Sequence, residues 1–134
     1  MTPVAAIAFS GMSAAALHLE AAASNIANAR STGALPDAPN PGGRGPAYTP
    51  MQIVQTASAN GGVTASISPS TSGALLQYDP SAPYANSRGL VGAPDVTLED
   101  QMLELVTARY SFAANLAVAR TDNEMADALL HIRV

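Results

Sequence analysis

This 134-residue chain has no cysteine, no tryptophan and no lysine, and its only phenylalanines are Phe9 and Phe112. Without cysteine it has no disulfide, no thiolate nucleophile and no cysteine-based metal site. Charge is scarce as well, at 12% of residues. Residues 1–94 hold three acidic and three basic groups, so the formal net charge of −4 comes from residues 95–134, with seven acidic and three basic. That balance argues against a nucleic-acid partner. Histidine is limited to His18 and His131, far apart in the chain and without a carboxylate at ligand-like spacing. Both read as ordinary helix-surface residues, and no metal or cofactor is expected. Gly42-Gly43-Arg44-Gly45 lacks the Lys-Ser/Thr ending and the following helix of a phosphate loop, and no strand precedes Ser10 as in a nucleophile elbow. Neither catalysis nor a small-molecule substrate is expected.

Alanine is what the chain has in excess, 28 residues in all, with eleven of them in residues 5–29. Alanine contributes little buried area at ~25 cal/mol per Å², but it lets helix backbones approach closely, as a dense helical array requires. The first charged residue is Glu20 and the first basic one Arg30. The apolar start therefore lacks the basic region of a cleaved secretory signal. Residues 3–17 are rich in Ala, Ser and Gly and fall short of the ~20 apolar residues that span a bilayer. The expectation is no membrane insertion and, if the protein is exported, a route that retains the N-terminus.

The pattern predicts a mainly α fold: two long terminal helices pairing as a coiled-coil-like hairpin, with a small β-hairpin element and a Gly/Pro-rich loop between them. Thr2-Pro3 reads as N-cap and first helical position, and residues 1–30 form the first helix. Residues 31–47 are the Gly/Pro-rich loop. Residues 48–78 form the β element, with runs 51–56 and 63–68 alternating about the turn signal Asn60-Gly61-Gly62 and a third run, 74–78, as a candidate to join them. Residues 79–96 connect. Thr97 and Asp100 stand at capping-box spacing ahead of the second helix, 97–134.

Apolar residues recur with 3-4 spacing along both helices, the mark of a seam facing another helix. The intrachain seam is assigned to Met12, Leu19 and Ile26 with Leu98, Met102, Leu105, Phe112, Leu116 and Leu130. A second, shorter row, Leu103, Val106 and Tyr110, is assigned to a neighbouring subunit. Asn25, Asn28 and Asn115 read as register or capping residues: a slipped pairing would leave a seam asparagine unsatisfied at ~1–3 kcal/mol, and an asparagine near a helix end can serve its last turn. Arg109 and Asn123 also interrupt the second helix.

These residues carry a family likeness. Ser10-Gly11-Met12-Ser13-Ala14, Leu17 and Ala23-Ser24-Asn25-Ile26-Ala27-Asn28 resemble the N-terminal signature of the bacterial flagellar rod and hook proteins. Residues 78–85, Gly89-Leu90-Val91 and Pro94-Asp95-Val96 are similar to the segment preceding the C-terminal helix in that family. Asp100-Gln101-Met102, Ala114-Asn115 and Met125 resemble positions of the helix itself. The length and the small middle element are similar to the short proximal-rod members. The resemblance implies a structural subunit of the basal-body rod, a helical tube that crosses the periplasm and transmits motor torque. It implies as partners other copies of the chain, other rod proteins and the flagellar type III export apparatus. The competing reading is a secreted coiled-coil component of a type III needle or translocon assembly.

Overall fold

A computed structural model describes residues 2–35 and 43–132; residues 36–42 of the Gly/Pro-rich loop expected at 31–47 lie outside them. Helix α1 spans Pro3–Asn28, followed by strands β1 (Met51–Ala57), β2 (Val63–Pro69), β3 (Leu75–Tyr78) and β4 (Leu90–Ala93), and by helix α2 (Leu98–His131). The architecture is thus two long helices with two small antiparallel sheets, β1–β2 and β3–β4.

Both helices begin where their caps place them. The Thr2 hydroxyl accepts the Ala5 N–H at 3.1 Å, and Pro3 occupies a position where its missing donor costs nothing. Thr97 caps α2 with its backbone alone: its carbonyl accepts the Gln101 N–H at 3.2 Å, while its side chain makes no capping bond, so the expected capping box does not form. Glu99 and Asp100 still place negative charge on the positive end of the helix dipole. The helices are antiparallel neighbours, since Asn25 meets Gln101, His18 meets Glu104, and Thr2 meets Asp122.

The core between them is built from small side chains. Ala5, Ala8, Met12, Ala15 and Ala22 are buried on α1, with Ala108 and Ala119 on α2; apart from Met12, every buried apolar residue described on the two helices is alanine. Ala8, Met12 and Ala119 pack together, with Leu116 against them. Helix α1, at 26 residues, is long and apolar enough to cross a membrane, more than residues 3–17 alone suggest. Here Ala5, Ala8, Met12, Ala15 and Ala22 of that helix are buried, Val4, Ile7 and Phe9 are exposed, and Asn25 is bonded to β1.

The hairpin β1–β2 turns through Gly61 and Gly62, both at positive φ, where a side chain would strain the backbone. The run at 74–78 does not join it. Leu75–Tyr78 pairs instead with Leu90–Ala93, within the stretch read as a connecting loop. That strand gave no alternating signal because it is short and buried in its middle, at Val91 and Gly92, and its outer edge is tied down by tertiary bonds: Gly92 and Gly33 exchange backbone hydrogen bonds at 2.9 Å. Gly33 also lies so close to Pro46 and Ala47 that a Cβ there would sit 2.3 Å from the Ala47 nitrogen.

Candidate assembly surface

Two faces of α1 are committed inside the subunit. One carries Ala5, Ala8, Met12, Ala15 and Ala22 toward α2; the other carries Ser10, Ala14, His18, Ala21 and Asn25, spaced 4-4-3-4, toward the β1–β2 hairpin. Asn25 is the fastener at the hairpin's base. Its amide nitrogen donates to the Met51 carbonyl at 2.8 Å and to Gln101 Oε1 at 2.9 Å. Its amide oxygen accepts the Met51 N–H at 2.7 Å and the Tyr48 hydroxyl at 3.0 Å. Two donors and two lone pairs are thereby used in full by a side chain only 3% exposed. Asn25 thereby joins α1, α2 and β1.

Ser10 fastens the hairpin's tip. Its hydroxyl donates to the Ile7 carbonyl at 2.7 Å and accepts the Val63 N–H at 3.1 Å. A Cβ on Gly62 would stand 2.3 Å from that oxygen, so the tip closes on α1 only with glycine there. The dimensions agree: α1 rises ~22 Å from Ser10 to Asn25 at ~1.5 Å per residue, and β1 runs ~20 Å from Met51 to Ala57 at ~3.3 Å per residue.

Gly11 and Asn115 set the approach of the helices. A Cβ on Gly11 would fall 2.5 Å from Asn115 Oδ1, so the Asn115 side chain occupies the space that glycine leaves. Asn115 donates to the Ser111 carbonyl of its own helix at 2.8 Å. Asn28 likewise bonds within α1, to the Ser24 carbonyl at 2.9 Å, and its carbonyl receives the Ser31 N–H and hydroxyl. It serves the helix end and makes no bond to α2.

On α2 the residues that are buried or meet α1 are Gln101, Ala108, Asn115, Leu116, Ala119 and Asp122. Most of them are polar or small. Two expectations are corrected by this register. Met102 is 52% exposed, because Gln101 takes the position facing Asn25 and the next residue is turned ~100° away. Leu130 is 81% exposed, because α1 begins at Pro3, level with Asp122, so the last turns of the longer helix extend past the start of α1. Leu98, Leu105 and Leu116 are half-buried, Leu116 against Ala8, Met12 and Ala119; Leu19 and Ile26 on α1 are half-buried as well, while Phe112 is exposed. Arg109 and Asn123 point outward. Leu103, Val106 and Tyr110 form an outer stripe, 66%, 50% and 72% exposed.

His18 is also corrected. It bridges three elements, with Nδ1 against Glu104 of α2 and Nε2 at 3.3 Å from Gln55 Oε1 of β1, because its place in the row with Ser10 and Asn25 aims it at the hairpin. His131 stays on the surface, its Nδ1–H donating to the Asp127 carbonyl at 2.7 Å. An open groove of about 550 Å³ runs between hairpin and α2 above Gly11, Ala14 and Ala15. Among the described residues no three His, Asp or Glu side chains gather as a metal site would need.

No family model matches the chain. It is, however, 36% identical over 126 residues to the flagellar basal-body rod protein FlgC of Salmonella typhimurium, covering 89% of this chain and 87% of that protein. The chain belongs to the FlgC family of flagellar basal-body rod proteins. FlgC of Agrobacterium fabrum is 30% identical over 128 residues, 93% of this chain and 91% of that protein, and FlgC of Yersinia enterocolitica 33% over 126 residues, 89% and 87%. These relatives are named as rod proteins and not as enzymes. Within this FlgC-family chain, the motif residues Ser10, Gly11 and Asn25 have internal structural jobs: two fasten the hairpin and one admits Asn115.

Proposed function

We infer that this chain is a structural subunit of the proximal part of the flagellar basal-body rod, built into a helical tube that crosses the periplasm and carries motor torque. The observation that supports this reading best is the division of α2. Its inner face is committed to α1, whereas Leu103, Val106 and Tyr110 form an apolar stripe that no described residue covers. Soluble monomers seldom leave such a patch bare, and an apolar stripe beside a packed seam suits a contact with a second chain. In this reading α1 and α2 act as a coiled-coil-like hairpin, and the outer stripe meets another copy or another rod protein. The fasteners at Ser10 and Asn25 keep the β layer fixed to the helices under load. The family resemblance adds the flagellar type III export apparatus as the route to the rod, and the subunit needs no cofactor.

The test is a deletion strain examined by electron microscopy of purified basal bodies. Loss of the chain should leave basal bodies without a rod and cells that do not swim, both restored by the gene in trans. Complete rods in the deletion strain would refute the reading.

A further inference from the structure

The β layer holds several strand edges, and most of them are already used. In β1–β2 the bonds Ser70 N–H to Pro50 O and Ser58 N–H to Gly62 O fix which residues face each other's backbone: even-numbered residues bond across the hairpin, and odd-numbered ones point their N–H and C=O outward. Outward groups on Met51 are taken by Asn25 and that on Val63 by Ser10. Farther along, the β1 edge looks into a groove walled by Asp100, Gln101 and Glu104. In β3–β4 the bond Asp79 N–H to Gly89 O sets the pattern, so Leu76, Tyr78, Leu90 and Gly92 point outward. Gly92 is taken by Gly33, and Leu90 by Asn86 through its backbone and side chain. Among the described residues this leaves two open edges away from the groove, Ala65 and Ile67 on β2 and Leu76 and Tyr78 on β3.

An open edge is a template for another strand, and soluble chains blunt theirs with lysine, inward-pointing charge or proline inside the strand. Neither edge here carries charge, and only the end of the β2 edge is blunted by a proline. Residues 45–78 contain no charged side chain, and the one proline within these two strands, Pro69, ends β2. The side chains of Leu75, Leu76 and Tyr78 are exposed as well.

We propose that the open edge of β2 in one copy of the chain pairs with the open edge of β3 in the next, extending the β layer from subunit to subunit. This rests on the rod-subunit reading and names a contact within it. The two edges suit each other chemically, since each is uncharged and can be covered by the other without burying a charge. They belong to different sheets of one subunit, separated only by residues 70–74, and are not paired within it. Joining unlike surfaces gives a heterologous contact, which propagates instead of closing as a two-fold dimer. A helical tube needs contacts of that kind.

The natural absence of cysteine makes the test clean. Cysteine is placed at Ala65 or Ile67 in one copy and at Leu76 or Tyr78 in a second, coexpressed copy, and isolated basal bodies are oxidised. Paired strands lie ~4.8 Å apart, within the ~4.4–6.8 Å between Cα atoms that a disulfide spans. At least one of the four combinations should give a disulfide-linked dimer of this chain. Leu76→Pro removes an N–H that points away from β4, so it should leave the subunit folded by circular dichroism while cutting that dimer at least tenfold and impairing swimming. Gln77→Pro, which breaks the bond to Val91 instead, should disturb the subunit itself. Intact rods that contain the chain but yield no dimer in any combination would overturn the edge pairing alone, as would Leu76→Pro cells that swim like the parent. Rods from which the chain is absent would overturn the subunit reading and the pairing with it.

Discussion

Replacing Asn25 with leucine removes the one side chain that bonds both helices and the base of the hairpin. The volume is nearly kept, so the main effect is on its partners. Gln101 and Tyr48 are half-exposed and can turn to water, but the Met51 N–H and C=O point inward at Asn25 and are left unpaired. An unsatisfied buried backbone group costs ~1–3 kcal/mol, so Asn25→Leu should destabilise the subunit by about 2–5 kcal/mol, a large share of the ~5–15 kcal/mol typical of a domain. With a urea dependence of ~1–3 kcal/mol per molar, the unfolding midpoint should fall by at least ~0.7 M. Asn25→Asp keeps the two acceptor bonds, from Met51 N–H and Tyr48, and loses both donors, so it should fall between parent and Asn25→Leu. Hydrogen exchange locates the effect: the Met51 amide should lose its protection in the leucine variant and keep it in the aspartate variant. An Asn25→Leu midpoint within experimental error of the parent, with Met51 still protected, would show that Asn25 does not hold the hairpin.

Gly11→Ala should lower stability by more than 1 kcal/mol, roughly, because its Cβ collides with Asn115, and Asn115→Ala in the same chain should recover most of the loss; additive effects of the two changes would contradict the contact. Val106→Asp should leave the monomer's helicity and export unchanged yet abolish swimming, since the charge is desolvated only on assembly, whereas Leu105→Asp should unfold the subunit; similar helicity losses in both would show that the two faces of α2 are assigned wrongly. In the free monomer, amides of residues 123–131 should exchange far faster than those of 101–119, because the last turns of α2 lack a partner helix; equal protection would contradict an unpartnered end.

The helix limits were legible because they are written in local chemistry: Thr2-Pro3 and Thr97 at the starts, and Ser31 after the first helix. The β1–β2 hairpin was legible from Asn60-Gly61-Gly62 between alternating runs. The seam on α2 was only partly so, since apolar periodicity cannot see the positions held by Gln101, Asn115 and Asp122 and instead draws in Met102 and Leu130. Strand β4 and the bridge from His18 to Glu104 and Gln55 arise from contacts between residues far apart in the chain, which no local pattern encodes. Ser10 and Asn25 stand in recognisable motifs, yet their bonds to Val63 and Met51 depend on the hairpin lying along α1, a placement the sequence does not spell out.

The central claim is that α2 has an inner face holding the subunit together and an outer face holding subunits to each other. A map of the assembled basal body at side-chain resolution tests it most directly. The account predicts that Leu103, Val106 and Tyr110 are covered by a neighbouring chain while Asn25 keeps its bonds to Met51 and Gln101 within the subunit. A map in which that stripe faces open solvent, or in which α1 and α2 of one subunit are parted, would contradict it.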